Sequence, residues 1–235
     1  MIELTYDGNK LSEFGIKVIS SNAFNSPTKI VQTFTIPGRN GELTIDRNQF
    51  ENIDIEYGIV IDKATSNIKK LQEFLMFKKG YKKLVDSSIP GMYRMARITD
   101  AIEIEDISIL GKVGVLKIVF NCQPQLFYED GDTFVSKKSK EMVINPSLFT
   151  SYPIIRIYGN GSVKIGQYQI DVKPHEDPYV DVDCDLKSCS YGLKRKNEIV
   201  TLSNYEYPTL PTGSTTIEYP STITKVEIKA RWWTV

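Results

Sequence analysis

Apolar residues recur at every second position through most of this chain, and Gly, Pro and Asn punctuate the runs. A period of two is the spacing of a β-strand, whose successive side chains point to opposite faces. Ile2, Leu4 and Tyr6 alternate at the start. Lys29-Ile30-Val31-Gln32-Thr33-Phe34-Thr35-Ile36 is rich in β-branched residues, which favour strands. Ile53-Asp54-Ile55-Glu56-Tyr57-Gly58-Ile59-Val60-Ile61 alternates and then turns apolar. Ile102-Glu103-Ile104-Glu105 alternates again, and a turn at Gly111 leads into Val113-Gly114-Val115-Leu116-Lys117-Ile118-Val119-Phe120. Short strands with frequent turn signals pack as sandwiches or barrels. The sharpest turn signal is Pro37-Gly38-Arg39-Asn40-Gly41-Glu42-Leu43, because proline sets its own φ while glycine and asparagine accept positive φ.

One segment breaks the pattern. Ile68, Leu71, Phe74 and Leu75 share a face at helical spacing, which predicts a helix near residues 66–79. Thr65 or Ser66 is placed to accept from free N–H groups at its start. Lys78 and Lys79 suit the last turn, and Gly80 suits the position after it. A helix of this length is marginal alone, so it needs a sheet to cover.

The 235 residues allow one large or two modest domains, at roughly 100–200 residues each. Composition shifts at Glu129-Asp130-Gly131-Asp132 and the charged run Ser136-Lys137-Lys138-Ser139-Lys140-Glu141, which places a boundary at about 130–145. The reading adopted is two domains, 1–135 and 136–235. The second opens at Asn145-Pro146 and is again β-rich, through Ile154, Ile155 and Ile157, Val163 and Ile165, Tyr179 to Asp183, residues 215–219 and residues 226–229. Asn160-Gly161 reads as a tight type I′ hairpin turn. No internal repeat is evident.

Few residues offer chemistry. Lys+Arg and Asp+Glu both number 29, so the net charge is zero. Residues 1–140 carry 19 basic against 18 acidic groups, and residues 141–235 carry 10 against 11. Neither half has the basic excess of a nucleic-acid clamp, and a neutral chain self-associates readily. The densest basic cluster, Lys78, Lys79, Lys82 and Lys83, suits either a solvated turn or an acidic or nucleic-acid neighbour. Cys122, Cys184 and Cys189 are odd in number and read as reduced, small core or loop residues rather than staples or zinc ligands. A Ser or Cys nucleophile usually needs a His base. The sole histidine, His175, lies in a loop bracketed by Pro174 and Pro178. Asp181, Asp183 and Asp185 alternate and suit either a hydrated sheet face or a cation. No phosphate-loop pattern occurs. No stretch approaches the ~20 apolar residues of a membrane helix. The N-terminus lacks the features of a signal peptide, so folding in a cytoplasm is expected. No catalytic residue, metal site or cofactor is assigned. Of Trp232 and Trp233, alternation puts one in a core and leaves the other for stacking or an interface.

The order of motifs resembles one family. Phe14-Gly15 is followed by Pro37-Gly38-Arg39-Asn40-Gly41-Glu42-Leu43, the helix, Leu84-Val85-Asp86 and Tyr93-Arg94-Met95-Ala96-Arg97-Ile98. Val119-Phe120-Asn121-Cys122-Gln123-Pro124 then precedes Phe127-Tyr128. This is similar to the N-terminal domain of the siphophage distal tail protein (Dit) family. Asn145-Pro146, Tyr152-Pro153-Ile154-Ile155, Gly159, Gly161, Tyr207-Pro208-Thr209-Leu210, Gly213 and Arg231-Trp232 resemble the family's galectin-like β-sandwich. Pro37, Gly38, Arg39, Gly41, Phe120, Cys122, Pro124 and Trp232 carry the signature, all as structural positions. The resemblance implies a mainly β fold: an N-terminal sandwich or barrel-like ring domain with one helix, then a galectin-like sandwich. It also implies a non-enzymatic virion protein at the tail tip, of phage or prophage, assembled in the host bacterial cytoplasm. The implied assembly is a homohexameric ring that meets the tail tube protein, the tail-associated lysin or spike, and receptor-binding or baseplate proteins. DNA only passes through its channel, and no membrane is involved. The His-x-Asn-x-Arg strand of true galectins is missing, so the second domain reads as a docking scaffold. The alternatives are a carbohydrate-binding sandwich for host attachment and a carboxylate-based glycoside hydrolase, for which no acid pair stands out.

A ring subunit has to pair or cover its strand edges, and in a cyclic assembly that pairing becomes the interface. The polar residues 20–29, with Phe24 as their one aromatic, are expected to order only against a neighbour.

Overall fold

The strands foreseen from alternation form a mainly β structure with one α-helix, described by a computed structural model for residues 2–107 and 112–235. The turn expected at Gly111 lies outside the described residues. Two compact units divide the chain, one running to Leu126 with Val235 added, the other Phe127–Thr234.

In chain order the first unit holds β1 (Leu4–Tyr6), β2 (Asn9–Lys10), β3 (Ile16–Ser21), β4 (Lys29–Thr35), β5 (Glu42–Phe50), β6 (Ile53–Asp62), α1 (Ala64–Phe77), β7 (Lys82–Asp86), β8 (Met92–Arg97) and β9 (Glu103–Ile107). β10 (Val113–Tyr128) carries the chain onward. The main sheet runs β2-β1-β7-β8-β10-β6-β3, with β9 also on β10. β6 and β10 pair antiparallel from Val113 opposite Asp62 to Cys122 opposite Ile53. This register puts Ile55, Tyr57, Ile59 and Ile61 on the same face as Leu116, Ile118, Phe120 and Cys122, and all eight are buried. Ala64, Ile68, Leu71 and Leu75 of α1 join that core. Gly114 allows the close approach, since a Cβ there would lie 3.1 Å from the Ala64 Cβ and 3.2 Å from Ile61. Phe120 sits at the centre, 5.1 Å from the Tyr6 ring and 6.0 Å from Tyr57.

The helix expected over 66–79 begins two residues earlier. Lys63 takes a left-handed φ of 50° and turns the chain straight from β6 into α1. Thr65 and Ser66 therefore lie inside the helix, and the Ser66 hydroxyl donates back to the Lys63 carbonyl. Lys78 and Lys79 fall beyond its last turn, where Lys78 is already extended. Lys78 Nζ reaches Asp7 at 2.7 Å, and Lys83 lies 4.0 Å over the Tyr93 ring, which breaks up the apparent basic cluster.

Part of the segment 20–29, expected to order only against a neighbour, is tied to the first unit itself. Asn22 accepts from the Glu56 N–H at 2.8 Å and donates to the Asp54 carbonyl at 3.4 Å. Ala23 and Pro27 are buried. The amide side chain substitutes for a strand partner, which the polar composition concealed. Phe24, the one aromatic of the segment, is 77% exposed.

The second unit holds β11 (Phe134–Lys137), β12 (Met142–Asn145), β13 (Ile154–Gly159), β14 (Gly161–Ile165), β15 (Tyr168–Val172), β16 (Val180–Asp183), β17 (Ser188–Tyr191), β18 (Lys194–Arg195), β19 (Val200–Leu202), β20 (Gly213–Glu218), β21 (Ile223–Lys229) and β22 (Trp233–Thr234). One sheet runs β11-β21-β13-β16-β17-β18 and the other β12-β20-β14-β15-β19. Their inner faces share a core that includes Ile155, Ile157, Val163, Ile165, Val182, Val226, Ile228 and Trp232. The charged run 136–141 ends β11 and forms the turn of residues 138–141 into β12, which belongs to a different sheet.

Asn160-Gly161 is not a hairpin turn. β13 and β14 join different sheets, so the chain crosses the sandwich there. Asn160 is not among the residues with positive φ, as a type I′ turn requires; Gly159 and Gly161 carry it, at 101° and 134°. A Cβ on Gly159 would come within 2.5 Å of the Thr222 carbonyl, so the corner needs glycine for space as well.

Candidate assembly surface

β4 and β5 form a two-stranded sheet of their own and pair with no other strand among the described residues. Pro37 and Gly38 occupy the centre of the turn at its tip, closed by the Arg39 N–H donating to the Ile36 carbonyl at 3.1 Å. With φ of +84° at Gly38, this is the arrangement of a type II turn, and Gly41 follows at +82°. At the root, Lys29 pairs with Asp46, and the Glu51 N–H donates to the Thr28 carbonyl at 2.9 Å. Hydrogen bonds from Lys29 and the Asn48 N–H hold the Asp46 carboxyl below its usual range.

The register sorts the hairpin into two unlike faces. Phe34 stands opposite Leu43 and Gln32 opposite Ile45, with Ile30 two residues along on the same side. On the other face, Thr33 meets Thr44, Thr35 meets Glu42 and Val31 meets Asp46. Ile30, Phe34, Leu43 and Ile45 are each 40–48% exposed. An isolated hairpin is marginal in water, and two bare edges plus an apolar face are what another chain pairs with. β9, paired to β10 on one side, is also exposed throughout, with Ile104 and Ile107 among Glu103, Glu105 and Asp106.

The signature positions do not converge on one place. Pro37, Gly38, Arg39 and Gly41 form the exposed hairpin tip. Phe120 and Cys122 lie in the first unit's core, and Pro124 is half-buried further along β10. Trp232 belongs to the second unit's core.

No protein-family model matches the sequence, and no curated protein sequence is significantly similar to it. Solved structures are. SPP1 Dit, a paradigm of the hub of the adsorption apparatus in phages infecting Gram-positive bacteria, superposes with a TM-score of 0.68 at 15% identity, over 97% of each chain. A chain of the phage P2 baseplate, activated with Ca, gives 0.58 at 11% identity over 97% of each chain. The Sr-bound baseplate gives 0.59 at 10% identity, over 97% of this chain and 96% of that one. The chain has the Dit fold.

Within this Dit fold the strand carboxylates are engaged in ion pairs, while both ring nitrogens of His175 are buried without a hydrogen-bond partner among the described residues. Asp181 takes a bidentate pair from Arg156 at 2.7 and 2.9 Å, and Asp183 takes one from Arg231 at 2.8 and 2.9 Å. Asp185 lies past the end of β16, so the alternating row is two arginine clamps rather than a cation site. Arg156 is also flanked by the Phe134 and Tyr179 rings, each 4.1 Å away. Among the described residues no group of three His, Cys, Asp or Glu is placed to hold a metal ion. All three cysteines are free and buried. Burial pushes the Cys122 thiol up to about 12 and Cys189 to about 11, and raises Cys184 as well. Trp233 stacks on Phe149 at 4.4 Å and donates to the Thr150 carbonyl, so Trp232 is the core tryptophan. Sequence reading missed the free-standing hairpin, although Ile30, Gln32, Phe34 and Leu43, Ile45 carry its one-faced pattern. It also missed the arginine clamps, whose partners lie 25 and 48 residues apart.

Proposed function

We propose that this chain is a structural subunit of a phage or prophage tail tip, a distal tail protein whose copies close into a ring hub. The hub joins the tail tube to the tail-associated lysin or spike and to the receptor-binding or baseplate proteins. The assembly is a homohexamer with DNA passing through its channel. Residues 1–135 make the ring, and residues 136–235, galectin-like, serve as the docking scaffold. The chain catalyses no reaction in this role. Pro37, Gly38, Arg39 and Gly41 shape the hairpin tip, Phe120, Cys122 and Trp232 hold the two cores, and Pro124 shapes the end of β10.

The β4–β5 hairpin carries this reading. Its apolar face is exposed and both edges are unpaired among the described residues, and a neighbouring copy satisfies both. The zero net charge favours such association. The full-length likeness to Dit and baseplate structures supports the choice of assembly. Negative-stain electron microscopy of the concentrated protein tests it. Six-membered rings are expected from the wild type, and dispersed subunits from Phe34→Asp. Rings that persist in Phe34→Asp would remove the hairpin from the account.

A further inference from the structure

Arg94 of β8 is 6% exposed, yet its Nη1 has no hydrogen-bond partner. Its Nη2 makes one long contact, to the Ala23 carbonyl at 3.5 Å. A buried guanidinium with an unused donor is costly, and burial disfavours its charge. The surroundings are a nearly closed polar circuit. The Ser88 N–H and hydroxyl donate to Asp86 Oδ1 at 2.8 and 2.6 Å, and the Tyr57 hydroxyl donates to Oδ2 at 2.9 Å. The Ser21 hydroxyl meets Tyr57 and accepts from the Ala23 N–H at 3.0 Å. Arg94 then closes on the Ala23 carbonyl. Among the described residues no hydrogen bond joins Arg94 to Asp86. Leu84 stands opposite Arg94 in the sheet, so Asp86, two residues along β7, shares its face.

Ala23, Tyr57, Asp86 and Arg94 line one cavity of about 10 Å³. That is the room one buried water needs, and such a water needs two to four polar partners. We propose that this cavity is a built site for a single ordered water, which accepts from Arg94 Nη1 and donates to the Asp86 carboxylate. The carboxylate on the wall argues for water over an anion, because water donates to it and an anion is repelled. The completed circuit ties the β3–β4 connector to β6, β7 and β8. Ala23 lies in that connector, which leads into β4, so the water site anchors the root of the hairpin. This last step rests on the hairpin being the assembly element; the water site itself does not.

A crystal structure showing ordered solvent, with a parallel bromide soak, tests the site whatever the oligomeric state. Density within hydrogen-bonding distance of both Arg94 Nη1 and Asp86, without anomalous bromide signal, is expected. A direct Arg94–Asp86 pair, a dry cavity or a bromide peak overturns the proposal. Amide hydrogen exchange on Arg94→Met tests the anchoring separately. Exchange at Ala23 should rise on the order of tenfold or more, as loss of a charged hydrogen bond implies. Exchange at Ala23 unchanged in a folded variant refutes the anchor.

Discussion

Phe34→Ala is the perturbation whose consequence follows most directly from the geometry. Phe34 is 48% exposed on the apolar face of the hairpin. A phenylalanine buries on the order of 200 Å², so a neighbour that covers the exposed half removes about 100 Å² from water. At roughly 25 cal/mol per Å² this is about 2.5 kcal/mol, of which alanine retains a small part. A loss of about 2 kcal/mol at each contact weakens it roughly thirty-fold. Sedimentation velocity over a dilution series reads this as rings that fall apart at a correspondingly higher concentration than wild type. The isolated subunit should lose no more than about 0.5 kcal/mol, as for other surface positions, and denaturant unfolding of the dilute protein checks that. Wild-type assembly in the variant, or a subunit destabilised by several kcal/mol, would refute the reasoning.

Three further outcomes follow from the cores and clamps. Phe120→Ala empties a fully buried site ringed by Tyr6 and Tyr57, and chemical denaturation should show a loss of about 3–5 kcal/mol; under 1 kcal/mol would mean the core is not packed as described. Cys122, Cys184 and Cys189 are buried with raised thiols, so iodoacetamide at pH 8 should leave the folded protein unmodified by mass spectrometry and label three sites after unfolding; rapid labelling of the native chain contradicts this. Hydrogen bonds from Lys225 and Tyr158 hold Glu227 below its ordinary 4.5. Its contribution to stability is therefore complete above that value and lost as pH falls through the lowered one, and Glu227→Gln should flatten this part of the pH–stability curve measured by thermal melts.

Periodicity made the β-rich character, the central helix and about half of the strands legible, because buried faces impose spacing on sequence. Ile55, Tyr57, Ile59 and Ile61 reveal their strand this way, as Ile68, Leu71 and Leu75 reveal α1. What sequence did not show depends on partners distant along the chain. Asn160-Gly161 has the wording of a hairpin, but β13 and β14 are claimed by other strands in separate sheets. Asn22 has the polarity of a loop residue, yet Glu56 and Asp54 hold it in place. Asp181 and Asp183 look like solvated acids until Arg156 and Arg231 arrive from elsewhere in the fold. The apolar face of β4 and β5 was visible as alternation, but its exposure was not, because alternation marks a face that is covered without saying by which chain.

The most direct test of the central claim is the solution mass of the purified chain, by multi-angle light scattering across a concentration series. The account predicts a species of about six subunits of 26.7 kDa that gives way to smaller ones on dilution. A 26.7 kDa monomer at every concentration, with the hairpin intact, would contradict it.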